Sequence, residues 1–275
     1  MSNSFNIART ATLLRLFISE HRRSILLGAA MLAGVFVLAV IVNFEDNNYD
    51  AYPTAALRNI DPGVQDMLLF YILTFIIAGT IVGSILFPGF NSRQGRLGFL
   101  MVPANASEKL ISRLIVGVIL FPIAFWALAC AAECLRGVAI GFMEAERPFN
   151  HVFSIFWNRE VAEHCLTLKS PWVLMTIIMC GGLALQSFFI LGATVWTRAV
   201  YVKTFIVFGA LALVYLLCAL SVAQFGPKIA YYPEPTYLER YGRQLFIGAE
   251  LAACLFNWTI AWLRLRELDV ITTKR

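Results

Sequence analysis

The residues in this chain that could do chemistry are few and scattered. The three histidines are His21, His151 and His164. Glu160, Glu163 and His164 suit one face of a short helix, but the H-E-x-x-H spacing that presents two imidazoles and a general base together is absent. Without three ligands and an orienting shell, that stretch reads as a solvated face in preference to a metal centre. Six cysteines are present, none in a C-x-x-C pair, so zinc and dithiol redox motifs have no support. No G-x-x-x-x-G-K-[ST] run exists to cradle a nucleotide, and no G-x-S-x-G elbow exists to present a serine. No histidine falls inside an apolar stretch, which disfavours an intramembrane Ser–His pair. The chain is therefore not read as an enzyme, and neither a cofactor nor a metal is expected.

Two carboxylates stand out because their surroundings are apolar. Glu133 has Arg136 three residues on, so a pair on one helix face is available. Glu250 has no such neighbour and lies about two turns from the end of its apolar stretch, within reach of water or a cavity. Charge in hydrocarbon is costly and is often kept for function. A structural or cavity-lining role is the leading reading for both, with a proton relay as the sharper alternative. Most of the cysteines read as buried thiols. A Cys134–Cys165 disulfide requires both residues on an oxidising face.

The elements that must position these groups are long and apolar. Six stretches, at about 24–44, 67–87, 114–142, 172–196, 205–225 and 245–263, each carry almost no charge. About 20 helical residues cross a bilayer core. Hydrophobic residues make up 59% of the 275, charged residues only 14%, and the mean hydropathy is +0.72, which excludes an ordinary soluble domain. The expected fold is all-α: a polytopic membrane protein of six transmembrane helices over 24–266. Residues 1–23 precede them as a cytoplasmic amphipathic helix, and a tail of 267–275 follows. With about 23 residues before it, the first stretch reads as an uncleaved membrane helix, not a secretory signal.

Basic residues are unequally divided by that layout. Fourteen of the 22 lysines and arginines fall on the side of the two termini, clustered near span ends, and eight on the other. The positive-inside rule then places both termini in the cytoplasm. Glu20, Glu108, Glu267 and Asp269 are the only acidic residues on that side, out of 17. The overall charge of +5 thus reflects orientation and contact with anionic lipid, not nucleic acid. Trp196 and Trp262 at inner ends, Trp172 at an outer end and Tyr231, Tyr232, Tyr237 and Tyr241 beside the last span resemble an interfacial belt.

Local signals refine the picture. Ile7, Ala11, Leu14 and Ile18 share one helical face, opposite Arg9, Thr12, Arg15, Ser19 and Arg22, which suits a helix lying in the inner interface. A plain extension of the first span is the alternative. Gly79 with Gly83, and Gly137 with Gly141, have the spacing that lets helices approach closely, within the chain or between subunits. Phe149, Val152, Phe153, Ile155, Phe156 and Trp157 could rest on the outer interface. Between the second and third spans Pro103 breaks any helix before it. Asn105 and Glu108 then have the spacing of a capping box, which predicts a helix starting near Asn105 and running into the third span.

The run Gly98-Phe99-Leu100-Met101-Val102-Pro103-Ala104-Asn105-Ala106-Ser107-Glu108-Lys109 resembles the L-x-L-P-A-S-x-x-E-K segment of a bacterial family of ABC-2-type transporter permeases, those of the Bacteroidota in particular. Pro103, Ala104, Glu108 and Lys109 match, Asn105 replaces Ser with its capping chemistry kept, and Val102 replaces Leu. The basic entry to the first span and the ending Phe256-Asn257-Trp258 through Leu263-Arg264-Leu265-Arg266 are similar too. The resemblance implies a dimer of six-span subunits in a bacterial inner membrane, driven by a separate ATP-binding subunit. It implies that the segment 90–109 touches that ATPase, with Arg93, Arg96, Asn105, Glu108 and Lys109 as the contact set. Members of the family often fold the segment before the last span back into the membrane, whereas here Glu239, Arg240 and Arg243 make deep re-entry costly. The rival functions are an ion-coupled secondary carrier using Glu133 or Glu250, and a non-catalytic membrane sensor or scaffold.

Overall fold

The computed structural model describes residues 5–46, 61, 63–87, 90, 95, 98–99, 101–102, 104–143, 149–158, 161, 171–196, 198–225 and 237–273. All regular structure among them is helical: α1 (Ile7–Asp46), α2 (Gly63–Ile85), α3 (Ala106–Leu114), α4 (Phe121–Met143), α5 (Pro171–Val195), α6 (Val200–Phe225) and α7 (Tyr237–Thr273). Five helical segments are long and apolar enough to cross a membrane: Ile7–Val42, Gly63–Ile85, Ala106–Phe142, Pro171–Val195 and Gln244–Leu268. The chain is thus a multi-pass helical membrane protein. Helix α6 has 26 residues, and its described side chains cover the shorter apolar run Val200–Val214.

Residues 7–23 are not a separate helix. They open the 40-residue α1, which runs without a break into the first span. Asn6 caps it, its Oδ1 accepting from Ala8 N at 2.9 Å, and no Gly or Pro occurs before Gly28 to interrupt the ladder.

Helix α3 starts at Ala106 and passes into α4 through one π-turn, Ile115–Leu120. The wide turn has a covalent cause. Pro122 has no N–H for the Val118 carbonyl and its ring would clash there, so Phe121 N reaches back five residues to Val116 O. The last span is likewise part of a continuous 37-residue helix, so Glu239, Arg240 and Arg243 extend α7.

The chain divides into two compact units. The first comprises Asn6–Ala78 and Leu114–Met179. Its core is aromatic: the Phe36 ring meets Tyr71 edge-on at 5.2 Å and Phe125 at 5.3 Å, while Phe75 stacks on Phe121 and Trp126. Val152, Ile155 and Val161 complete this core. The 149–157 stretch is therefore not a uniform interfacial surface. Its 3₁₀ turn, Val152–Phe156, buries Val152 and Ile155, and Trp157 alone stays strongly exposed, at 74%.

The second unit comprises Met1–Phe5, Gly79–Arg113 and Cys180–Arg275. Close helix approaches hold it together. A Cβ on Gly83 of α2 would stand 2.8 Å from the Gln186 carbonyl oxygen of α5, and one on Gly192 of α5 would collide with Thr204 of α6. Gly83 therefore serves internal packing. In the first unit Gly137 does the same against the Phe149 ring, at 2.8 Å, whereas Gly141 meets nothing within 4 Å.

Candidate functional site

In the first unit, Glu133 and Arg136 form the pair that their spacing offers, Arg136 Nη2 to Glu133 Oε2 at 3.0 Å. The structure adds partners from distant sequence. Arg136 Nη1 forms an ion pair with Asp61 Oδ2, and Nη2 donates to the Asn150 carbonyl at 2.8 Å. Tyr71 Oη donates to Glu133 Oε1 at 3.0 Å, and Val152 N donates to Glu133 Oε2 at 3.1 Å. The Phe149 ring covers the guanidinium at 5.1 Å. Asp61 Oδ1 accepts from Gly63 N at 3.0 Å, so the same carboxylate caps α2. Asp61, Glu133 and Arg136 are all buried, at 1% exposure or less.

This arrangement suits a clasp better than a relay. Each Glu133 oxygen accepts at least two hydrogen bonds from Tyr71, Arg136 and Val152, so its lone pairs are taken up by donors fixed in the fold. The one guanidinium faces two carboxylates, and the positive end of the α2 dipole at Asp61 offsets part of the remaining charge. The clasp ties the start of α2, the last turns of α4 and residues 149–152 together.

Glu250, in the second unit, is in the opposite condition. It lies on the inward stripe of α7, ahead of the buried Cys254, Asn257, Ala261 and Leu265. Its Oε1 faces Gly181 of α5 so closely that a Cβ there would stand 2.9 Å away. Its Oε2 is buried with no hydrogen-bond partner among the described residues. Cys180 and Cys254 are near enough to interact with it electrostatically. Further along the same helix pair Asn257 Nδ2 donates to Ser187 Oγ at 2.9 Å.

The segment between the second and third spans also lies in the second unit. Phe87, Phe90 and Phe99 form a three-ring cluster, with centroids 5.4 to 6.1 Å apart. Lys109 and Arg113 both stand over the Phe99 ring, at 5.4 and 5.8 Å. Glu108 Oε2 accepts from Asn105 N at 3.1 Å, the reciprocal half of a capping box, and α3 begins at the next residue. Glu108 and Lys109 are themselves buried, at 0% and 3% exposure, so they position the segment and offer no surface to a partner. Met101 is 82% exposed. Arg93 and Arg96 lie outside the described residues.

Cys134 carries a free thiol, and Cys165 lies outside the described residues, as do Glu160, Glu163 and His164. Among the described residues no three His, Cys, Asp or Glu side chains come together to hold a metal. Asp61, Tyr71 and the 149–152 segment are the members of the clasp that sequence reasoning missed. Asp61 does carry a local signal: Asp-Pro-Gly before an apolar run is a helix start.

The helices and their buried charges define a multi-pass membrane protein whose first unit is locked by a compensated ion network. No protein-family model, curated protein or solved structure matches the chain.

Proposed function

We propose that this chain is the membrane subunit of an ATP-driven ABC-2-type exporter, paired as a homodimer in a bacterial inner membrane and worked by a separate ATPase subunit. The observation that carries the reading is the segment after α2. It is a three-phenylalanine knob braced by two cationic side chains and a capped helix, with the Met101 side chain left outside. A rigid base with an exposed apolar tip is what a docking contact needs, since such anchors carry most of an interface's energy. In this reading Glu108 and Lys109 hold the knob, and Met101, with Arg93 and Arg96, meets the ATPase.

The finer features belong to the same reading. Helix α6, about 39 Å long at 1.5 Å per residue, serves as the sixth span. Both termini are cytoplasmic by the charge division. The first turns of α1 carry the first span into the inner interface, where exposed Arg15, Arg22 and Arg23 suit the headgroup region. Lys203 over Trp196 at 5.4 Å and Arg266 over Trp262 at 5.6 Å are amphipathic pairs suited to that boundary.

The test is affinity purification of the full chain in mild detergent from its own host. A P-loop ATPase should co-purify, and Met101→Glu should reduce its yield about tenfold with the permease still monodisperse. Purification without any ATPase removes the reading. A second reading, an ion-coupled carrier, has one observation in its favour: the unpartnered oxygen of Glu250. It requires transport that survives ATP depletion and stops when the ion gradient is collapsed.

A further inference from the structure

Three helices of the second unit bring a group of cations to one end. Two contacts set α5 and α7 side by side and running the same way: Gly181 faces Glu250, and Ser187 bonds to Asn257. Nine residues beyond the second contact, about 14 Å along each axis, the chain of α5 reaches Trp196 and that of α7 reaches Arg266. Helix α6 turns back from there along α5, with Thr204 against Gly192 and Phe208 against Phe188. Ala199, in the connection, takes a φ of 51°, the left-handed conformation of a sharp reversal. Arg198, Lys203, Arg264 and Arg266 therefore share this end of the unit, and all four are exposed.

Their partners differ. Glu267 bonds to Arg264 at 3.2 Å. Arg198, Lys203 and Arg266 have no carboxylate partner among the described residues. Lys203 stands over the Trp196 ring instead, and Arg266 over Trp262. A ring covers one side of a cation and leaves the other side to an anion. Tryptophan rings also settle at the headgroup level of a bilayer, which fixes the depth of the charges they carry. Just inward on the same helices, Phe205, Ile206 and Leu263 are exposed. Cations at headgroup depth above an apolar surface match a molecule with an anionic head and hydrocarbon chains. A soluble anion would use only the first half of that surface.

We propose that this end of the second unit, where Lys203 on Trp196 and Arg266 on Trp262 stand with Arg198, binds the phosphate-bearing headgroup of an anionic phospholipid, whose chains lie along Phe205, Ile206 and Leu263. A zwitterionic lipid carries its own ammonium beside the phosphate and gains less from three unpaired cations. The site does not depend on the exporter reading.

The probe is phosphatidylglycerol, titrated into the purified full chain in mild detergent and counted by native mass spectrometry. Phosphatidylcholine with the same acyl chains is the comparison. Phosphatidylglycerol should bind at least about tenfold more tightly, and Arg198→Gln, Lys203→Gln and Arg266→Gln together should abolish the difference. Removing three exposed charges from α1 instead, as Arg15→Gln, Arg22→Gln and Arg23→Gln, should leave the preference in place. The second measurement uses the unaltered protein, so it stands even where a variant fails to fold. A photoreactive phosphatidylglycerol should attach within residues 195–206 or 262–266, as mapped by mass spectrometry. Unlabelled phosphatidylglycerol should displace it, and inorganic phosphate should not. Equal binding of the two lipids, an unchanged preference in the first triple variant, or equal losses in the two triple variants overturns the proposal. Attachment only at other residues also overturns it. Displacement by inorganic phosphate overturns it too, and assigns the cations to a soluble anion.

Discussion

The carboxylates Glu133 and Glu250 both sit in apolar runs of the sequence, only the first with a basic residue one turn away, and the two units treat them in opposite ways. Glu133 is enclosed by a guanidinium, a phenol and a backbone amide. Glu250 is given space by a glycine and left with an oxygen that bonds to nothing among the described residues. A buried charge that is fully bonded rigidifies its surroundings, whereas one that is not is a position held open at a cost in stability. The contrast separates an acid bonded into the fold from one with an oxygen left unbonded among the described residues.

The largest expected effect is on the clasp. Arg136→Met leaves Asp61 and Glu133 buried with no counter-charge, and should cost about 3–5 kcal/mol. Thermal unfolding in detergent, followed by tryptophan fluorescence, should show either a large drop in midpoint or no folded protein. Adding Asp61→Asn and Glu133→Gln to Arg136→Met should restore part of the loss, because the stranded charges are then gone. A small effect of Arg136→Met alone would mean that the clasp is not the lock described.

Tyr71→Phe is the next step down. It removes one hydrogen bond to a charged acceptor and keeps the ring that Phe36 packs against, so about 1.5–3 kcal/mol is expected. A double-mutant cycle with Glu133→Gln should recover most of that as coupling, since the bond is to Glu133 itself. Additive losses would place the Tyr71 contribution in its ring packing.

The capping box between the second and third spans should give less. Asn105→Ala should cost about 1 kcal/mol, as caps ordinarily do, and should loosen the start of α3. Hydrogen exchange at Ala106–Lys109 is the direct measurement. Unchanged protection would show that burial of Glu108 and Lys109, not the cap, holds the helix start.

What was legible in the chain follows from the range of the forces involved. Spans are legible because hydrocarbon thickness sets their length locally, and five of the six stretches meet the criterion within the described residues. The start of α3 is legible because a cap acts over three residues. The Glu133–Arg136 contact is legible for the same reason. Asp61 is not, since it meets Arg136 across 75 residues and is spoken for locally as a cap. Val152 and Ile155 read as interfacial because an apolar residue in a loop looks the same whether lipid or protein covers it. Glu108 and Lys109 are implied as partner contacts by the family resemblance alone, and their burial beside the Phe99 cluster is a tertiary fact that no local pattern carries. The unpartnered state of Glu250 is a property of what is not beside it in space, which no one-dimensional pattern carries.

The smallest expected change in stability is also the sharpest test of the contrast. Glu250→Gln should leave the unfolding midpoint unchanged or raise it, because the acid has no counter-charge to lose and its Oε2 makes no hydrogen bond among the described residues. Glu133→Gln, the same chemical change, should lower the midpoint by weakening the ion pair with Arg136 and forcing an amide N–H into a site built from donors. Measured side by side in the same detergent, opposite signs mean that one acid is part of the fold and the other is tolerated by it. Equal losses would mean that Glu250 has a stabilising partner after all, and its role would then be structural.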